Sequence, residues 1–122
     1  MAGYRDADDK LKEGIRLFGL KRWEAAAQEL LRIDPGQFSV EENVDLSYYL
    51  GLCFMKLERY DEALLYLEQV VANSGDPMRV YQCRLTLAYV YVTTKRTKLA
   101  EFELTRLSQS GFESVQIYTT LG

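Results

Sequence analysis

Apolar positions recur by threes and fours along most of this chain, with polar residues between them, which is the period of an amphipathic α-helix. The stretch 47–71, SYYLGLCFMKLERYDEALLYLEQVV, shows it most clearly. Leu50-Gly51, Phe54 and Leu57 mark one helix, and Tyr60, Ala63-Leu64, Leu67 and Val70-Val71 mark a second. One such pair cannot bury its own apolar stripes, so recurrence of the pattern decides the architecture. It recurs at a step of 37 residues, from Gly14 to Gly51 to Ala88. The same step aligns Leu17, Phe54 and Tyr91; Trp23 and Tyr60; Ala26, Ala63 and Ala100; Leu30, Leu67 and Leu104; and Ile33, Val70 and Leu107. The small residues sit where the two helices of a pair would cross, because only a methyl group or less allows close backbone approach; large residues on either side fill the rest.

The pattern and its punctuation predict helices over about 7–20, 23–33, 43–57, 60–72, 78–94 and 98–110. Lys21-Arg22 makes the first turn. Asp34-Pro35-Gly36 stops the second helix, since proline cannot continue the ladder and glycine accepts turn geometry. Residues 37–42 are expected as a connection. In Ser74-Gly75-Asp76-Pro77, Gly75 is expected to close the fourth helix, Asp76 to cap the fifth, and Pro77 to occupy its first turn. Residues 89–94 have strand propensity, which the repeat register overrides.

Leu50-Gly51 with Phe54, the run Tyr60-Asp61-Glu62-Ala63, and Pro35 and Pro77 after the second helices together resemble the tetratricopeptide repeat family. A unit of that family spans about 34 residues, so a 37-residue step places roughly three extra residues in each connection. The middle repeat matches best; the first shows Gly14, Leu17, Trp23-Glu24 and Ala26, while the third has Thr97 in place of the aromatic and Ala88 in place of the glycine. The resemblance covers nearly the whole chain. It implies an all-α, right-handed solenoid of antiparallel helix pairs, with three repeats over about 7–40, 44–77 and 81–111. Tyr118 to Gly122 resembles the start of a fourth repeat, so 112–122 is expected as a partial fourth-repeat or capping helix, and the chain as a piece of a longer repeat protein.

Composition narrows the function. The chain has 122 residues, one domain's worth, able to bury ~65% of its unfolded surface. Its net charge is −3, with acids and bases interleaved, which argues against a nucleic-acid partner because that binding needs a basic face. There is no run of 18 apolar residues, hence no expected membrane span, and Met1 to Lys10 lacks the apolar core of a signal peptide. The expected compartment is the cytoplasm. Histidine is absent, which removes histidine metal sites, general bases and triads. Cys53 and Cys83 lie among apolar residues and are expected as buried thiols. Asp8-Asp9, Glu41-Glu42 and Asp61-Glu62 are adjacent in sequence, so on a helix they diverge by about 100° and do not converge on a substrate. No phosphate loop is present. The expectation is a non-enzyme without cofactor or metal.

In the family it resembles, the first helix of each repeat lines a concave groove. Carried over residue by residue, the groove positions are Leu11, Ile15 and Phe18, then Tyr48, Leu52 and Met55, then Leu85, Tyr89 and Val92. Members that clamp a peptide carboxylate present Lys and Asn at such places; here Leu11, Ile15 and Leu52 stand there, so the clamp is missing. What remains is an apolar strip bearing tyrosines, half of it expected as core and the rest as a groove for an amphipathic helix or apolar peptide. Two functions follow: a scaffold that binds another protein or peptide, or a structural module that self-associates through the groove or the open C-terminal end.

Overall fold

The computed structural model describes residues 2–109, and these are helical apart from short connections. In order they form α1 (Ala2–Gly19), α2 (Trp23–Leu31), a single 3-10 turn (Pro35–Gln37), α3 (Val40–Lys56), α4 (Tyr60–Asn73), α5 (Pro77–Thr93) and α6 (Thr97–Gln109). No strand occurs among them. Each helix packs against its chain neighbours, and α1 also reaches α3. The tight turns pair α1 with α2, α3 with α4 and α5 with α6 as helical hairpins. The expected fourth-repeat segment, 112–122, lies outside the described residues.

The three hairpin turns share one backbone solution. Lys21, Glu58 and Lys95, 37 residues apart, adopt left-handed φ values of 63°, 62° and 62°. The next N–H in each case reaches back to close the helix: Arg22 to the Leu17 carbonyl at 3.0 Å, Arg59 to Phe54 at 2.9 Å and Arg96 to Tyr91 at 2.7 Å. This 6→1 bond, with the 5→2 bond from each left-handed residue, is the Schellman closure that glycine usually supplies. The carbonyls of the same three arginines accept from Ala26, Ala63 and Ala100 and so start the following helix. Arg59 also lays its guanidinium 4.8 Å from the Phe54 ring centre, filling the apolar contact that normally accompanies this closure.

Inside each hairpin the small residues perform as their spacing predicts. Ala26, Ala63 and Ala100 are buried, and Gly14 and Gly51 lie against Leu30 and Leu67. A Cβ added to Gly51 would stand 2.7 Å from both Cγ and Cδ2 of Leu67, closer than real contacts come. One buried cluster runs from Ala7 to Ala100 through all three hairpins; a smaller one, Tyr81, Leu85, Ala88 and Leu107, belongs to the last hairpin.

Three boundaries differ from expectation. α1 begins at Ala2 and not near 7. α3 starts at Val40 and not near 43, because Ser39 and Glu42 form a capping box: Glu42 N–H donates to Ser39 Oγ (3.2 Å) and Ser39 N–H to Glu42 Oε1 (2.9 Å). α4 is closed not by a left-handed Gly75 but by Ser74 in extended conformation, whose N–H bonds the Val70 carbonyl. Asp76 does cap α5, accepting from Met78 N–H at 3.0 Å, with Pro77 as its first residue.

Candidate functional site

The first helices of the hairpins, α1, α3 and α5, carry the nine apolar positions singled out above, and the structure distributes them unequally. Leu11 and Leu85 are buried, each in one of the two core clusters. Ile15, Phe18, Tyr48 and Met55 are half-buried and pack against the main cluster, and Leu52 is half-buried. Tyr89 and Val92 are 39% and 48% exposed. The strip is thus packing on α1 and becomes accessible surface toward α5.

Between α3 and α5 the accessible part closes into a shallow pocket of about 290 Å³ lined by Met55, Lys56, Thr86 and Tyr89. Its lining combines a thioether, a phenol, an ammonium and a hydroxyl, a chemistry suited to an apolar side chain with a polar neighbour. Lys56 is held by the Trp23 ring, whose centre lies 5.6 Å from Nζ. Trp23 in turn meets Phe18 edge-on at 5.0 Å, and Phe18 meets Tyr49 at 5.5 Å. Aromatic packing across two hairpins therefore positions the pocket.

At the other end of α3 and α5, Arg79 lies flat over Tyr48 with Cζ 4.1 Å from the ring centre, and its Nη2 is 3.5 Å from Asp45. Arg79 Nη1 is buried with no hydrogen-bond partner among the described residues. Burial, and then the nearby Cys83 thiol, push the Tyr48 phenol up, so it stays a neutral donor. Asp45, Arg79, Lys56 and Thr86 are site residues that sequence spacing does not flag. Polar residues on a groove face carry no periodic signal, and their partners come from the next hairpin.

No protein-family model, curated protein or solved structure matches the chain. What the site can do therefore rests on its own chemistry. Among the described residues no group of His, Cys, Asp and Glu converges as a metal site, and no helix is long and apolar enough to cross a membrane. Burial pushes the Cys53 thiol up to about 11 and the Cys83 thiol up to about 12, so both are protonated and unreactive near neutral pH.

Two further pockets occupy corresponding places on successive hairpins. One, about 230 Å³, lies between α3 and α4 and is lined by Asn43, Ser47, Gln69 and Asn73 with two valines. The other, about 290 Å³, lies between α5 and α6, where Arg84 and Arg106 replace Ser47 and Gln69. In the first, Ser47 Oγ donates to Gln69 Oε1 at 3.3 Å, and Asn43 Nδ2 donates to the Pro35 carbonyl. In the second, Arg84 is taken up by Glu103 at 3.0 Å. The first is smaller than the Met55–Tyr89 pocket and the second matches it in volume, and in both a lining polar side chain is already engaged within the chain.

Proposed function

We propose that the chain is a non-enzymatic interaction scaffold of the tetratricopeptide kind. In this reading its three hairpins stack as a right-handed solenoid, and the groove along α1, α3 and α5 receives an amphipathic helix or apolar peptide of another protein. The observation that carries this is the apolar surface left uncovered on first helices, Tyr89 and Val92 beside the pocket at Met55 and Lys56. Large apolar side chains that the fold does not use, gathered around a concavity, are the usual mark of a protein-binding site. The 37-residue recurrence of the left-handed turn residue supports a repeated unit. The available end of the groove is the α3–α5 end, because Leu11, Ile15 and Phe18 are taken by packing on the α1 side. An occupant would seat one or two apolar residues at Met55 and Tyr89, with an acidic or carbonyl group near Lys56.

The test is selection of short amphipathic peptides from a displayed library on the immobilised full chain. Enriched peptides should carry apolar residues three and four apart. They should lose binding to a Met55→Glu/Tyr89→Ala variant that keeps its helical circular-dichroism signal. Enrichment indifferent to that variant, or no enrichment, would remove the groove as the binding site.

A further inference from the structure

The second helices turn a face away from the core that the groove reading does not use, and on α4 and α6 that face is charged in opposite senses. In α4 it is centred on Leu65, 55% exposed, and flanked by Asp61, Glu62 and Glu68 without a single base. In α6 the equivalent position, 37 residues on, is Phe102, 54% exposed, with exposed Leu99 beside it and flanked by Lys98 and Arg106, the exposed Glu101 standing at the edge of this face. The turns before the two helices continue the contrast, Glu58 against Lys95. The corresponding face of α2 carries mixed charge: Lys21, Glu24 and Arg32 around Gln28.

An isolated exposed leucine needs no explanation. Here apolar centres coincide in register, and the charges around them change sign from one hairpin to the next. Lys98 makes no ion pair among the described residues, and Arg106 only stacks on Phe102, Cζ 4.9 Å from the ring centre. The acids of α4 are lightly engaged: Asp61 is 3.0 Å from Arg96 but its side chain is 89% exposed, Glu62 is 2.7 Å from Arg59, and Glu68 accepts from the Tyr91 hydroxyl at 3.2 Å. Such exposed contacts are worth little and re-pair readily.

We propose that the chain associates with a second copy of itself through the outer faces of α4 and α6. The helices α4 and α6 each pack on α5 across a connection of three residues, which turns the chain back, so they run the same way. A two-fold axis midway between them and along their common direction lays α4 of one copy parallel on α6 of the other, and does so twice, as an isologous interface requires. Leu65 then meets Phe102 of the second copy, Asp61 faces Lys98, and Glu68 faces Arg106. An unrelated partner would have to bring an acidic–apolar and a basic–apolar stripe side by side; a second copy brings them by symmetry. The dimer uses the face opposite to the proposed groove and leaves that groove open on both copies.

The experiment is sedimentation equilibrium of the full chain at low salt, from micromolar to near-millimolar concentration. The wild-type mass should rise from 14.1 kDa toward twice that value, and the rise should weaken as salt is added. Lys98→Glu/Arg106→Glu makes both faces acidic, and Asp61→Lys/Glu68→Lys makes both basic. Each variant alone should stay monomeric, and an equimolar mixture should recover the doubled mass because each supplies the face the other lost. Recovery on mixing also shows that both variants are folded. A wild-type mass constant at 14.1 kDa would overturn the proposal, as would variants that dimerise as the wild type does or a mixture that stays monomeric.

Discussion

Gly51→Ala separates helix propensity from packing, two effects that oppose each other at this position. Alanine in place of a helix-interior glycine stabilises by about 1 kcal/mol through propensity alone. At Gly51 the new Cβ would be 2.7 Å from Cγ and Cδ2 of Leu67 and 3.4 Å from its backbone nitrogen. Leu67 is fully buried, so its branch cannot move outward without displacing α4. Overpacking of this kind costs about 1–3 kcal/mol, which outweighs the propensity gain and leaves a net loss of about 1 kcal/mol. The third hairpin shows how the crowding is relieved: Ala88 already carries the methyl group, and the facing Leu104 is only partly buried where Leu30 and Leu67 are fully buried. Urea unfolding followed by circular dichroism measures the change. The diagnostic quantity is the coupling in a cycle with Leu67→Ala, which removes the obstructing branch. On that background Gly51→Ala should become stabilising, giving a coupling of more than about 1 kcal/mol. A single mutant that is stabilising, or a cycle additive to within about 0.5 kcal/mol, would refute the close-approach account of the glycines.

Two further outcomes follow from geometry already described. Glu58 holds a left-handed conformation that costs a non-glycine residue about 1–2 kcal/mol, so Glu58→Gly should raise stability by about 0.5–1 kcal/mol after the flexibility of glycine in the unfolded chain is subtracted; a loss of stability in urea unfolding would mean that the Glu58 side chain supports the turn. Cys53 and Cys83 ionise at about 11 and 12 in the fold against about 9 when exposed, so above pH 9 the unfolded chain sheds protons that the native state keeps. Stability should therefore hold up to about pH 9 and fall as pH rises from there toward 12, with a shallower fall in a Cys53→Ala/Cys83→Ala variant; an unchanged slope in that variant would show that the thiols are not the cause.

Much of the helical framework is legible in the sequence because it depends on local periodicity. The 37-residue step, the small residues at 26, 63 and 100, and the cap at Asp76-Pro77 follow from spacing and backbone chemistry, and the structure places them accordingly. The capping box at Ser39 and Glu42 is also a sequence signal; the loop expected around Pro35 and Gly36 obscures it. The left-handed residues are different. Nothing in lysine or glutamate announces a positive φ, whereas Gly75, which invites one, is not left-handed. The proposed groove is legible only as a set of candidates. Periodicity puts Leu11 and Leu85 on the same face as Tyr89 and Val92, but how far a residue is covered depends on how the neighbouring hairpin is offset. Contacts such as Arg79 with Tyr48 and Asp45 depend on that same offset, which spacing along one chain does not carry. The opposed charges on α4 and α6 are readable from the 37-residue step once exposure shows which face points outward.

The near-exclusive packing of each helix on its chain neighbours also bears on how the protein folds. Loop closure between such elements spans only tens of residues, so native contacts can form early without a large entropic penalty, which places the chain among rapid folders. Neighbour-only contact also lets stability vary along the chain. The last hairpin keeps Tyr81, Leu85, Ala88 and Leu107 in a cluster separate from the main core, whereas Cys83, Leu87 and Val90 on the same helix belong to the main one. One face of α5 is thereby anchored to the rest of the molecule and the other to its own hairpin. Undocking of α6 from that second face can proceed as a local event, on its own timescale, while the first two hairpins remain folded.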